Sequence, residues 1–183
     1  FWLGKTEVTQ KQWEAIMGEN PSHHIGANRP VDSVTWNKAI EFSGKLTLRE
    51  RAAGRLPGGH EYTLPTEAQW GYACRAGTTT RFSFGDDPGY SQLGDYGWYG
   101  GNSSNRTHDV GGKLANPWGL YDMHGNVMEW CLDWYSGRQS GGNVTDPRGP
   151  SLGTFRVLRG GSWMHGPREL RSAHRSTLEG NSR

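Results

Sequence analysis

The residues best equipped for chemistry sit in one run, Gly119-Leu-Tyr-Asp-Met-His-Gly-Asn-Val-Met-Glu-Trp-Cys-Leu-Asp-Trp-Tyr135. Asp122 and Glu129 offer hard carboxylate oxygens, and a loop bent at Gly125 can turn backbone carbonyls toward the same point, which is the ligand set calcium prefers. The same residues also have an ordinary use, in which Asp122 caps the turn and Glu129 pairs with one of the arginines. Ser162, His165, Asp133 and Glu129 include the types of a hydrolytic triad, but no nucleophile elbow or oxyanion-hole spacing accompanies them.

The elements that must position these groups can be read in outline. Asp122, His124, Gly125 and Asn126 are turn formers, whereas residues 127–135 are rich in β-formers and aromatics, so a loop feeds a strand. Residues 154–159 alternate as a second strand, Gly160-Gly161 bends it, and residues 171–175 read as its return. Thr9-Gln-Lys-Gln12 and Thr66-Glu-Ala-Gln69 carry capping-box spacing. They predict a helix over about 10–17, with Trp13 and Ile16 inward, and another after Pro65, with Trp70, Ala73 and Cys74 on its apolar side. Thr35 caps a helix between them, where Trp36, Ala39, Ile40, Ser43 and Leu46 recur at helical spacing. Residues 62–64 suggest a short strand. His23 and His24 read as solvated loop residues. Residues 75–117 turn at glycine after glycine, and a stretch this long without regular structure is functional or pinned by aromatics and ions; Asp86, Asp87, Asn102, Asn105 and Asp109 are its candidate cation ligands. Another polar loop covers residues 136–153.

Composition narrows the classes. With 28 Gly, 9 Pro and 33% hydrophobic residues the chain looks poor in core material, but nine Trp, seven Tyr and five Phe reverse that impression, since each aromatic buries about 150–250 Å². The 183 residues suit a single turn-dense α+β domain able to bury roughly two thirds of its extended surface. A net charge of +2, from 20 basic and 18 acidic residues spread along the chain, provides no basic stripe, so nucleic acid is not an expected partner. No apolar run approaches the ~18 residues of a membrane span. Two cysteines, Cys74 and Cys131, do not make a disulfide framework, and a single bridge between them is left open. Asn102, Asn105 and Asn143 each begin a glycosylation sequon, a short pattern that is common by chance.

Gly-Leu-Tyr-Asp-Met-His-Gly-Asn-Val-Met-Glu-Trp, followed by Val157-Leu-Arg-Gly-Gly-Ser-Trp163 and Arg171-Ser-Ala-His-Arg175, resembles the formylglycine-generating enzyme (sulfatase-modifying factor) family. Phe1-Trp-Leu-Gly-Lys-Thr-Glu-Val-Thr-Gln10, Pro30-Val-Asp-Ser-Val-Thr-Trp36 and the block from Tyr62 to Gly77 fit the same family in the same order. The resemblance implies a C-type-lectin-like variant fold: α+β, low in regular secondary structure, with a few helices and small antiparallel sheets. It also implies structural calcium held by Asp122 and Glu129 side chains and by the carbonyls of Gly125 and Val127, with a second ion near Asn102 whose full ligand pattern is not matched here. Both ends read as cut within the domain. A soluble protein of bacterial type is expected; oligomeric state and ligand identity are not readable.

The family's enzymes oxidise a substrate cysteine with copper(I) held by two cysteines, a soft-ligand requirement. By position those cysteines fall on His165 and Leu170, so copper is not expected and neither is the reaction. The expected function is therefore a non-catalytic ligand- or protein-binding module. Its binding surface comprises Trp163, Met164, His165, Arg168, Glu169 and His174, with Tyr121 and Trp98 as further residues of hot-spot type. The resemblance extends to retroelement-diversified variable proteins, although Met164 and Glu169 are not readily reached from asparagine codons. The alternative is an oxidase or peptide-modifying enzyme with altered metal ligands. Arg159, Arg171 and Arg175 are expected in buried ion pairs beside the acidic central strand.

Overall fold

Three threonines open the three longer helices. The computed structural model describes residues 1–137 and 144–182; the Asn143 sequon and part of the 136–153 loop lie outside them. Thr9 accepts the Gln12 N–H while Gln12 returns the bond to the Thr9 N–H, and this box starts α1, Gln10–Met17. Thr35 accepts from the Lys38 N–H and starts α2, Trp36–Ala52. Thr66 and Gln69 repeat the reciprocal box ahead of α3, Glu67–Arg75. Each bond satisfies an amide that the first helical turn would otherwise leave without a partner.

A short α4, Leu93–Tyr96, interrupts the glycine-rich stretch. The chain then forms β1, Glu129–Trp134, β2, Phe155–Arg159, and β3, Ser176–Glu179. These make one antiparallel sheet in the order β1-β2-β3. Glu129 pairs with Arg159 and Trp130 with Leu158, after which the register shifts so that Trp134 faces Arg156. The few helices and one small sheet agree with the expected α+β class.

Two apolar clusters build the interior. Trp70 and Cys74 of α3 pack with Met123, Cys131 and Val157, joining the helix to the sheet and to the loop before β1. Phe82, Leu93 and Leu170 form the second cluster, with Phe84, Tyr90 and Tyr99 against it. Aromatics therefore replace long helices and sheets as core material.

Three local expectations require correction. The return strand lies at Ser176–Glu179 and not at 171–175, which follow a 3-10 turn, Pro167–Leu170. The backbone of 171–175 is engaged elsewhere: Ser172 N–H donates to the Arg81 carbonyl, and the carbonyls of Ser172 and His174 accept from the Arg159 guanidinium. Residues 62–64 form no strand, because the Tyr62 N–H donates to the Thr47 hydroxyl and not to a ladder. The buried stripe of α2 is Ala39, Phe42, Ser43 and Thr47. It is rotated from the expected one because Phe42 stacks on Trp13 at 4.9 Å, while Trp36 turns to donate its indole N–H to the Cys131 carbonyl.

Candidate functional site

Backbone crossings fix the loop before β1. Asp122 and Asn126 take left-handed φ values of 60° and 63°. A Cβ on Gly125 would fall 2.2 Å from the Trp98 carbonyl oxygen, so no other residue fits there. Within this loop Asp122 is buried: Oδ2 accepts the Gly111 N–H at 2.7 Å, and Oδ1 has no hydrogen-bond partner. Glu129 is half-buried at the start of β1.

Glu7, which the sequence reading did not single out, completes an acidic group. Its Oε1 accepts the Val127 N–H and its Oε2 accepts the Asn126 side-chain amide. Burial pushes Asp122 up to about 6 and Glu129 up to about 7. Glu7 is raised well above the carboxylate range by burial and then by the charges of Asp122 and Glu129. Among the described residues no Lys or Arg forms a salt bridge with any of the three. Asp122 thus does cap a neighbouring loop, but Glu129 does not pair with an arginine. A buried acidic group without a counter-charge ionises only where a cation offsets the desolvation, and calcium suits hard oxygens. Among the described residues no set of three His, Cys, Asp or Glu side chains converges tightly enough to hold an ion alone, so backbone carbonyls such as those of Gly125 and Val127 would have to complete the shell.

The candidate binding residues follow β2. Ser162 Oγ lies 2.7 Å from His165 Nδ1, and the His165 carbonyl accepts the Gly100 N–H, pinning the 162–169 loop to the glycine-rich stretch. Trp163 is half-buried: its N–H donates to the Asn126 carbonyl, its carbonyl accepts from the Ser103 hydroxyl, and its ring meets His24 edge-on at 5.1 Å. His24 is thus a neighbour of this surface that the sequence reading left in solvent. Met164 is 62% exposed and Arg168 is exposed. His174 stands apart, lining a cleft with Arg75 and Arg81. Trp98 is covered by His108, stacked at 3.7 Å, and by the Lys113 ammonium at 3.9 Å. Tyr121 lies under Lys5.

No triad assembles around Ser162 and His165. The Asp133 carboxylate accepts the Glu67 N–H at the start of α3, and among the described residues no carboxylate bonds the His165 ring. Three of the five candidate cation ligands of the glycine-rich stretch are also engaged. Asp87 takes the N–H groups of Ser91, Gln92 and Leu93 at the opening of α4. Asp86 accepts the Arg81 N–H, and Asn102 bonds Tyr99 and Gly97. Two of the three expected arginine pairs form, on a helix and not on the central strand: Arg175 grips Glu67 with two bonds, at 2.6 and 2.7 Å, and Arg159 lies 3.7 Å from the same carboxylate, whereas Arg171 donates to the Arg168 carbonyl and pairs with no carboxylate among the described residues.

Among the described residues, the two positions that the resemblance implies for copper hold His165 and Leu170 and no cysteine. Leu170, where the family resemblance implies the second copper ligand, has no exposed surface and packs with Phe82 and Leu93. Cys74 and Cys131 are free and fully buried in the other cluster, where burial pushes the Cys74 thiol up to about 12. Neither can reach a solvent-accessible metal as thiolate.

The domain description "Sulfatase-modifying factor enzyme 1-like domain" matches residues 1–183. The chain is 33% identical to the chaperone protein LppX of Paenibacillus barcinonensis, over 90% of its own length and 69% of that protein's. It is 37% identical to the formylglycine-generating enzyme of Streptomyces coelicolor over 90% of its own length, and spans half of that enzyme. Among solved structures, Treponema denticola variable protein 1 superposes with a TM-score of 0.86 at 35% identity, covering 98% of this chain and 79% of that one. The fold is accordingly the C-type-lectin-like variant that the sequence motifs suggested.

Proposed function

The chain belongs to the sulfatase-modifying factor enzyme 1-like family, and from that premise we propose that it is a calcium-stabilised, non-catalytic member that binds a protein or peptide ligand through the loop surface around Trp163. The observation that carries this reading is the burial of Leu170 where the family's enzymes need a copper-binding cysteine. A core leucine cannot be a metal ligand, and His165 on the first position is held by Ser162. The activity is lost with the site even though the fold persists.

The remaining surface supports binding. Met164 and Arg168 project from a loop whose backbone is fastened by the Trp163, Ser103 and Gly100 bonds, and a loop with its backbone already ordered lowers that part of the entropic cost of recognition. The likeness to a Treponema variable protein supports the version in which this loop varies between relatives. Calcium is supported by the uncompensated carboxylates of Asp122, Glu129 and Glu7. No helix of the described residues is long and apolar enough to cross a membrane.

Elemental analysis after copper(I) reconstitution, paired with turnover on a sulfatase-type cysteine peptide, tests the reading. Calcium without copper and without turnover is the expected result. Stoichiometric copper with peptide oxidation would instead establish the alternative, an oxidase with altered ligands.

A further inference from the structure

A cleft outside the Trp163 loop gathers four arginines. It spans about 440 Å³ between the C-terminal end of α3, the 79–86 loop and the 171–175 turn, and is lined by Arg75, Arg81, Arg171, His174 and Arg175 together with one carboxylate, Asp86. Its walls are tied together by the Ser172 N–H bonded to the Arg81 carbonyl at 2.8 Å.

Surface arginines ordinarily meet acids, and here most do not. Arg175 is neutralised by Glu67. Asp86 accepts the backbone N–H of Arg81 and forms no salt bridge with its guanidinium. Among the described residues Arg75, Arg81 and Arg171 have no carboxylate within 4.0 Å, and residues 138–143 and 183 contain no Asp or Glu. Two of these guanidinium groups are nevertheless aimed: Arg75 by a bond to the Thr80 carbonyl, and Arg171 by its Nε–H to the Arg168 carbonyl. The Thr79 side chain lines the same wall. Burial depresses His174, with Glu169 opposing and Arg171 adding to the shift, and its Nε2 lies 3.2 Å from the Ser176 hydroxyl.

We propose that this cleft binds a dianionic tetrahedral oxyanion of the phosphoryl type. The planar fork of an oriented guanidinium matches two oxygens of such a group, and three guanidinium charges against the single carboxylate of Asp86 leave the cleft net positive, which an anion relieves. The phosphoryl group could be free phosphate or the end of a larger monoester; both present the same oxygens to the arginines.

The test is isothermal titration of the whole chain with inorganic phosphate and with phenyl phosphate, in chloride at matched ionic strength. Saturable binding of at least one probe is expected, weakened about tenfold by Arg81→Ala and by Arg171→Ala, in line with the loss of one charge-assisted contact. Asp86→Asn keeps the acceptor for the Arg81 N–H and removes the negative charge, so it should tighten binding severalfold. Phenyl phosphate binding better than phosphate identifies a monoester site, and the reverse identifies a free-ion site. Absence of saturable binding for both probes, or affinities unchanged in Arg81→Ala and Asp86→Asn, overturns the proposal. The exposed Arg81 side chain makes that variant decisive even where Arg171→Ala does not fold. Copper and peptide assays are untouched by either result, so this cleft and the proposed binding function can fail separately.

Discussion

Glu7 Oε1 accepts the Val127 N–H at 2.9 Å, joining positions 120 residues apart. The bond places a buried carboxylate from the start of the chain against the loop that carries Asp122 and Glu129. It also gives Glu7 a different duty from its neighbours: both of its oxygens are occupied by N–H donors, whereas Asp122 keeps one buried oxygen without a partner.

Calcium should therefore distinguish the three acids. Asp122→Ala and Glu129→Ala are expected to lose more thermal stability in calcium than in chelator, where Asp122→Ala still gives up its Gly111 N–H bond, because linkage stabilisation requires the ion and amounts to about 2.7 kcal/mol at a free concentration 100 times Kd. Glu7→Gln should lose stability in both buffers, since its new amide would face the Asn126 amide donor. Melting curves of all three variants, with and without chelator, decide it. Equal losses in both buffers for Asp122→Ala and Glu129→Ala would remove calcium from the account.

Glu67 holds two guanidinium groups, one of them on the buried Arg159. Glu67→Ala leaves that charge desolvated and unpaired, and removing one partner of a buried pair costs about 3–5 kcal/mol. Arg175→Ala should cost less, because its side chain is 19% exposed and Arg159 keeps the carboxylate. Urea unfolding of both variants provides the comparison, and a Glu67→Ala cost below that of Arg175→Ala would contradict the arrangement.

Helices were legible where a local signal sufficed. The Thr9 and Thr66 boxes specified their helices because cap and partner lie three residues apart, and the Asp122 to Glu129 loop was legible because its turn residues and acids are contiguous. Glu7 was not, since what makes it part of the acidic group is a bond to Val127 from a distant segment. The return strand was misplaced for a similar reason. Nothing within residues 171–175 indicates that Arg159 will occupy their carbonyls. Leu170 looked like a vacated metal position and turned out to be core, a distinction that needs Phe82 and Leu93 in view.

Both cysteines should be silent toward thiol reagents in the native protein. Cys74 and Cys131 have no exposed surface, and burial raises both thiols, so neither access nor thiolate is present. Titration with a chromogenic disulfide is expected to count no thiols before denaturation and two afterwards. Rapid native labelling at either position would mean that the cluster around Trp70 opens readily.

His124 should make the fold sensitive to mild acid. Its Nδ1–H donates to the Leu170 carbonyl, and its Nε2 accepts from the Ser83 N–H with the Ser83 hydroxyl 3.0 Å away, so protonating Nε2 would break the Ser83 N–H bond inside a buried site. Burial accordingly drives the imidazole down from 6.5 to about 4. In the unfolded chain the ring takes up its proton near the ordinary value, so between these limits the unfolded state binds more protons and stability rises with pH. The contribution is complete above pH 6.5 and is lost as pH falls through about 4, a change of about 3 kcal/mol. Asp122 and Glu129, raised in the ion-free chain, act in the opposite sense over part of that window, so the measurement should be made in saturating calcium as the difference between wild type and His124→Phe. The phenyl ring can pack against Phe82 and Phe84, which already meet His124 edge-on. It leaves the Ser83 and Leu170 groups without partners at every pH. The variant should be less stable at pH 7 yet lose less between pH 7 and pH 4, and parallel pH profiles would show that His124 does not remain neutral in the folded protein.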